Sequence, residues 1–161
     1  FGHIPETIKR QSENQIQNPL LETIAQIPKE LILHENKSGV CFVPRWARYP
    51  FEIWIAPHRR VSQVYDLDDE EIKNLSHLLL ESSKMLDKVF NEPMPYTLAW
   101  QLAPKGYQDS HHLHWCFQPI KRSKTKLKYL AGVEQITGFY LVDLPPERSA
   151  RILRGEEQPD E

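Results

Sequence analysis

Two cysteines in 161 residues, Cys41 and Cys116, are too few for a disulfide framework in a chain of this size. Reduced thiols in a cytoplasmic protein are the expectation. No apolar run approaches the roughly 20 residues that a membrane span requires, and neither a signal peptide nor a transit peptide is legible. An excess of one charge is also missing. With 20 Lys and Arg against 22 Asp and Glu, the net charge is −2, which removes any bulk electrostatic case for nucleic acid. No low-complexity segment or internal repeat is visible. An initiator methionine is absent as well: Phe1 opens the chain, and the expectation is a removed start or a piece of something longer. The apolar fraction of 40% and charged fraction of 26% are those of one soluble globular domain with a real core.

The elements are legible from periodicity and punctuation. "PETIKRQSENQIQNPLLETIAQIPKE" reads as a polar helix from Pro5, broken near Pro19, followed by a short apolar turn to Ile27. "ELILHENKSGVCFVP" carries two short apolar runs around Asn36–Gly39, which is hairpin chemistry. "PFEIWIAP" reads as a third strand. The strongest helix signal is "DLDDEEIKNLSHLLLESSKMLDKVFNEP": Asp68 caps it with Glu71 three residues on, and acidic residues fill the first turn. Ile72, Leu75, Leu79, Leu86 and Phe90, widened by Leu78 and Met85, form its apolar stripe. "YTLAWQLAP" and "HLHWCFQPI" read as two further strands and "FYLVDL" as a last one. "PPERSARILRG" then reads as a final helix between Pro146 and Gly155. Strands, one long helix, then strands predict an α+β domain: an antiparallel sheet with helices packed on it.

The chemistry concentrates in "HHLHWCFQP", residues 111–119. On an extended strand His112, His114 and Cys116 share one face, and Leu113, Trp115 and Phe117 the other. Three readings of that face stay open. A neutral imidazole can attack phosphorus and carry a nucleotidyl or phosphoryl group, with a neighbouring histidine orienting it. Imidazole and thiolate are good zinc or iron ligands, although two or three ligands from one strand leave the rest to come from elsewhere. The plainest reading is a polar cavity that catalyses nothing. Directly after the strand, Lys121, Arg122, Lys124, Lys126 and Lys128 suit phosphate or a sugar phosphate, with a solvated basic loop as the alternative. "LAGVE" adds Gly132 for close backbone approach and Glu134 for sugar hydroxyls.

The blocks "VPRWARYPFEIWIAP", "DLDDEE", "PYTLAWQLAP", "HLHWCFQP", "LKYLAGVE" and "LPPERSARILR" follow one another in an order that resembles a family. The resemblance is to the C-terminal half of galactose-1-phosphate uridylyltransferases, whose relatives include ADP-glucose and diadenosine tetraphosphate phosphorylases. It covers roughly residues 4 to 155. It implies a histidine-triad-like domain over residues 29–161, with residues 1–28 a helical segment joining it to a first half absent from this sequence. The family's nucleophilic histidine lies in a His-Pro-His-x-Gln motif of that first half, as does its zinc. The motif does not occur here, so this chain alone is expected to be inactive.

The resemblance also implies an iron site of one Glu and three His in the second half. Its positions fall near Gln11 and on Gln101, His114 and Cys116. Only His114 keeps the family's ligand type, with Cys116 a possible ligand beside it, and loss of the iron is expected. The hexose-contacting segment fares better, matching Lys128, Tyr129, Ala131, Val133 and Glu134. The family's later Gln has no clean counterpart near Phe139–Leu141.

The implied function is nucleotidyl transfer between sugar phosphates, in the manner of UDP-glucose:hexose-1-phosphate uridylyltransferase. The implied partners are a nucleotide sugar, a hexose 1-phosphate and a second copy of the chain in a homodimer, in the cytoplasm. Two alternatives stand beside it. The run from His112 to Gln118 follows the pattern of a self-sufficient histidine-triad nucleotide hydrolase or phosphorylase with His114 as nucleophile and Cys116 in the third histidine's place. The other is a non-catalytic half-domain kept for binding or oligomerisation.

Overall fold

The computed structural model describes residues 19–160. The helix expected from Pro5, and Gln11 with it, lie outside these residues. Helix α1 (Pro19–Ala25) is followed by a single 3₁₀ turn and by strands β1 (Ile32–Glu35), β2 (Gly39–Phe42) and β3 (Ile53–Pro57). Helix α2 (Asp69–Val89) precedes β4 (Tyr96–Gln101) and β5 (His114–Pro119). Two short helices end the chain, α3 (Gly132–Thr137) and α4 (Pro146–Leu153). The five strands form one sheet in the order β1-β2-β3-β5-β4, antiparallel throughout. The α+β class is the one expected.

Local chemistry explains the joints. In the β1–β2 hairpin, the Asn36 side-chain oxygen accepts from the backbone N–H groups of Ser38 and Gly39, an Asx turn that reverses the chain. At the start of α2 the capping box is complete: Asp68 accepts from the Glu71 N–H at 2.8 Å and Glu71 from the Asp68 N–H at 3.0 Å. Arg59 adds two 2.7 Å bonds to the Glu71 carboxylate, which turns that residue inward and holds it ionised, well below the usual carboxylate range. Gly155 ends α4 in the left-handed region.

The sheet buries both faces. On one side Ile53, Ile55, Leu113, Trp115 and Phe117 pack with Leu75, Leu78 and Leu86 of α2 and with Ala150, Ile152 and Leu153 of α4. On the other, Val40, Phe42, Trp54, Ala56 and Cys116 pack under Leu20 and Ile24 of α1. The two thiols are free and buried and fall in the two opposite clusters. β4 stands at one edge of the sheet with Tyr96, Leu98 and Trp100 exposed. No helix among the described residues is long and apolar enough to cross a membrane.

Three expectations are corrected. The short apolar turn expected after Pro19 is helix α1, opened by that proline, and its Leu20 and Ile24 cover the Cys116 face. Ile72 is 43% exposed, because the first turn of α2 presents Glu71 inward to Arg59 and the buried line runs instead through Leu75, Leu78, Ser82, Leu86 and Val89. "FYLVDL" is not a strand. The Leu141 backbone is engaged by side chains instead, its N–H donating to Glu134 and its carbonyl accepting from Lys128, so it is not offered to a ladder.

Candidate functional site

The histidine strand keeps the alternation read from its sequence, and each of its histidines is tied to backbone. His112 is pinned by backbone: Nε2 donates to the Pro57 carbonyl at 2.8 Å and Nδ1 accepts from the Val61 N–H at 3.4 Å. His114 donates from Nδ1 to the His112 carbonyl at 2.8 Å and stacks on Trp54, ring centroids 4.6 Å apart and 22° from parallel. At 2% exposure, burial keeps it neutral and depresses its pKa to about 3. His111, missed as a candidate, lies 5.6 Å from His114 between ring centroids, and its Nε2 donates to the Gln101 carbonyl at 3.4 Å. This geometry leaves His114 Nε2 unprotonated and under protein cover.

The donor set does not fit the iron site that the resemblance implied. Gln101 does sit directly opposite His114 in the β4–β5 register, yet a neutral amide replaces an imidazole there. The Cys116 thiol lies in the apolar cluster with Leu20, Phe42 and Ala56, and burial pushes its pKa up, whereas metal binding needs the thiolate. Among the described residues no group of three or more His, Cys, Asp or Glu is placed to hold a metal.

The second constellation is an arm, residues 128–141, and here the predicted residues come together. Lys128 Nζ donates to Glu134 Oε1 at 2.8 Å and to the Leu141 carbonyl at 3.0 Å. Glu134 also accepts from the Ala131 N–H, closing the first turn of α3, and from the Leu141 N–H. The two side chains are 8% and 1% exposed. Lys128 first, then the two backbone donors, hold the Glu134 pKa down at about 2. Tyr129, Val133, Ile136 and Phe139 project outward from this buried pair. A cavity of about 460 Å³ opens beside it, lined by Pro50, Arg122, Tyr129, Ala131, Glu134 and Asp143 among others. The basic run is largely neutralised: Lys121 pairs with Glu92 and Arg122 with Asp143, leaving Lys124 and Lys126 exposed.

One central sheet with a buried histidine strand, a long capped helix and a terminal helix on the same face define a histidine-triad-like α+β half-domain. A Hit-like protein from Bartonella henselae shares this fold at a TM-score of 0.57 and 17% identity, covering 84% of this chain and 90% of that one. The particular family follows from closer matches. The family model described as galactose-1-phosphate uridyl transferase, C-terminal domain, matches residues 9–160, and the chain belongs to that family. It is 34% identical over 142 residues to galactose-1-phosphate uridylyltransferase of Thermotoga maritima, across 86% of this chain and 45% of that protein. A solved uridylyltransferase superposes with a TM-score of 0.83 at 26% identity, over 93% of this chain and 48% of that one. An Arabidopsis thaliana ADP-glucose phosphorylase, solved with bound ADP-glucose, superposes at 0.76 and 26% identity over 94% and 50%. The chain thus spans about half the length of the relatives it matches.

Proposed function

We propose that this chain is the second half of a hexose-1-phosphate nucleotidyltransferase of galactose and nucleotide-sugar metabolism. In this reading a histidine of a first half, outside these residues and accompanied there by zinc, attacks the α-phosphorus of a nucleotide sugar. It releases hexose 1-phosphate and holds the nucleotide as a phosphoramidate until a second hexose 1-phosphate displaces it. The present chain contributes the 128–141 arm to the sugar and a surface to a homodimer, in the cytoplasm. The carrying observation is the arm itself. The residues expected at the sugar, Lys128, Tyr129, Ala131, Val133 and Glu134, gather on one short segment beside a cavity of about 460 Å³. Burial of His114 at the start of β5 speaks for chemistry elsewhere.

Intact-mass spectrometry after incubation with UDP-glucose and, separately, ADP-glucose, without acid quench because phosphoramidates are acid-labile, tests the division of labour. The expected result is a folded chain with no nucleotidyl adduct. An adduct that disappears in His114→Ala would overturn the reading in favour of a complete histidine-triad enzyme. Restoring a first half should then give hexose-1-phosphate-dependent turnover that Glu134→Ala abolishes; turnover untouched by that substitution would remove the arm from the sugar site.

A further inference from the structure

The sequence places one carboxylate inside an apolar strand run, "PFEIW", and the structure gives it no solvent: Glu52 is 0% exposed. Its two oxygens meet two sets of N–H donors, and Oε1 also lies 3.9 Å from the Arg48 guanidinium. Oε2 accepts from the backbone N–H groups of Arg48 at 2.7 Å and Tyr49 at 3.1 Å. Oε1 accepts from the indole N–H of Trp54 at 2.8 Å. The chain between these contacts turns through Phe51 at φ 60°, a left-handed conformation that a bulky residue adopts only where its surroundings over-determine it. Phe51 is held by its edge-on contact with Phe90, ring centroids 5.8 Å apart, and Glu52 N–H closes the turn on the Tyr49 carbonyl.

What this turn carries is the floor of the arm. Lys128 Nζ lies 5.7 Å from the centroid of the Tyr49 ring, and the Arg48 guanidinium lies 5.5 Å from that of Tyr140. The Tyr49 and Tyr140 rings lie 6.0 Å apart between centroids, tilted by 45°. Lys128 has three N–H donors. Two are taken by Glu134 and the Leu141 carbonyl, and the third side of the ammonium meets the aromatic face, an attractive cation–π contact.

We propose that Glu52 is a positioning residue for the 128–141 arm. By fixing the 48–49 backbone it sets the Tyr49 and Arg48 side chains on which Lys128 and Tyr140 seat, and through its other oxygen it holds Trp54 against His114. One buried carboxylate therefore ties the arm and the histidine strand to a single point. The inference rests on the arm reading given above for its functional meaning, but its mechanics are independent of any ligand.

The test is limited trypsin digestion of the ligand-free chain, scored as cleavage after Lys128, in the arm, against cleavage after the already exposed Lys124 and Lys126. Tyr49→Ala should speed cleavage within the arm about three- to fivefold, the ratio a cation–π contact of this kind is worth, with the thermal midpoint of the core nearly unchanged. Tyr49→Phe keeps the ring and should digest as the parent does. Glu52→Gln cannot satisfy both sets of donors, because its amide presents N–H groups to one of them. It should show the same faster arm cleavage together with a changed tryptophan emission. Arm cleavage unaltered in Tyr49→Ala, or equally fast in Tyr49→Phe, would overturn the proposal, as would a folded Glu52→Gln that digests like the parent. The expected cleavage pattern in a chain that shows no sugar binding would instead count against the arm's function and leave this inference standing.

Discussion

Acidifying the protein from neutral pH to pH 4.5 is expected to lower its unfolding free energy by roughly 2–3 kcal/mol through His114 alone. The ordinary histidine pKa is 6.5 and that of folded His114 is about 3. Between those values the unfolded chain binds a proton that the folded chain refuses, so stability falls as pH falls. The slope approaches about 1.4 kcal/mol per pH unit. Burial depresses His111 and His112 in the same direction and steepens the decline. The window is separable from carboxylate effects. Glu134, ordinarily at 4.5 and here at about 2, stabilises the fold above its unfolded pKa, and that contribution is lost only as pH drops from about 4.5 through 2. Urea unfolding at a series of pH values for the parent and His114→Gln measures the difference directly. The variant should lose much of the slope between pH 6.5 and 4.5; parallel curves would mean that His114 is protonated in the fold.

Gly39→Ala is expected to cost about 2–3 kcal/mol, on the scale of other overpacked core sites. A Cβ at Gly39 would stand 2.6 Å from the Ala56 carbonyl oxygen and 2.6 Å from Leu75 Cδ2. Leu75 is itself buried in the core between α2 and the sheet, and the carbonyl belongs to β3, fixed in register with β2. The glycine thus lets α2 and the sheet approach at this point. Gly132→Ala provides the contrast, since nothing lies within 4 Å of the added carbon, and its stability should stay within about 0.5 kcal/mol of the parent. Denaturation midpoints of the two variants decide the matter, and equal midpoints would refute the close-approach argument.

What was legible in the sequence was whatever local physics alone dictates. The period of two through residues 112–117 assigned the two faces of β5 because no other backbone satisfies it, and the Asp68/Glu71 box marked the start of α2 because its partners are three residues apart. The Asn36 turn was local in the same way. Errors arose where a distant partner decides. Ile72 was read as core because the helical period includes it, yet Arg59, twelve residues upstream of Glu71, selects which side of the first turn faces inward. Residues 139–144 have strand composition, but Lys128 and Glu134 engage the backbone at Leu141 first. The candidate site divided similarly. Lys128 and Glu134 were found by resemblance, while their mutual burial, and the role of Glu52 beneath them, depend on contacts between segments that no short window contains.

The edge strand β4 has a practical consequence. Tyr96, Leu98 and Trp100 are exposed, no charged residue falls between Tyr96 and Gln101, and the strand's outer row of amides and carbonyls meets no further strand among the described residues. Uncharged apolar edges template the addition of further strands. Isolated in solution, the chain should therefore behave as a sample whose state depends on its own concentration: sedimentation should slow on dilution, and storage at high concentration should favour slow growth of larger species. Leu98→Lys would be the simplest means of keeping it dispersed.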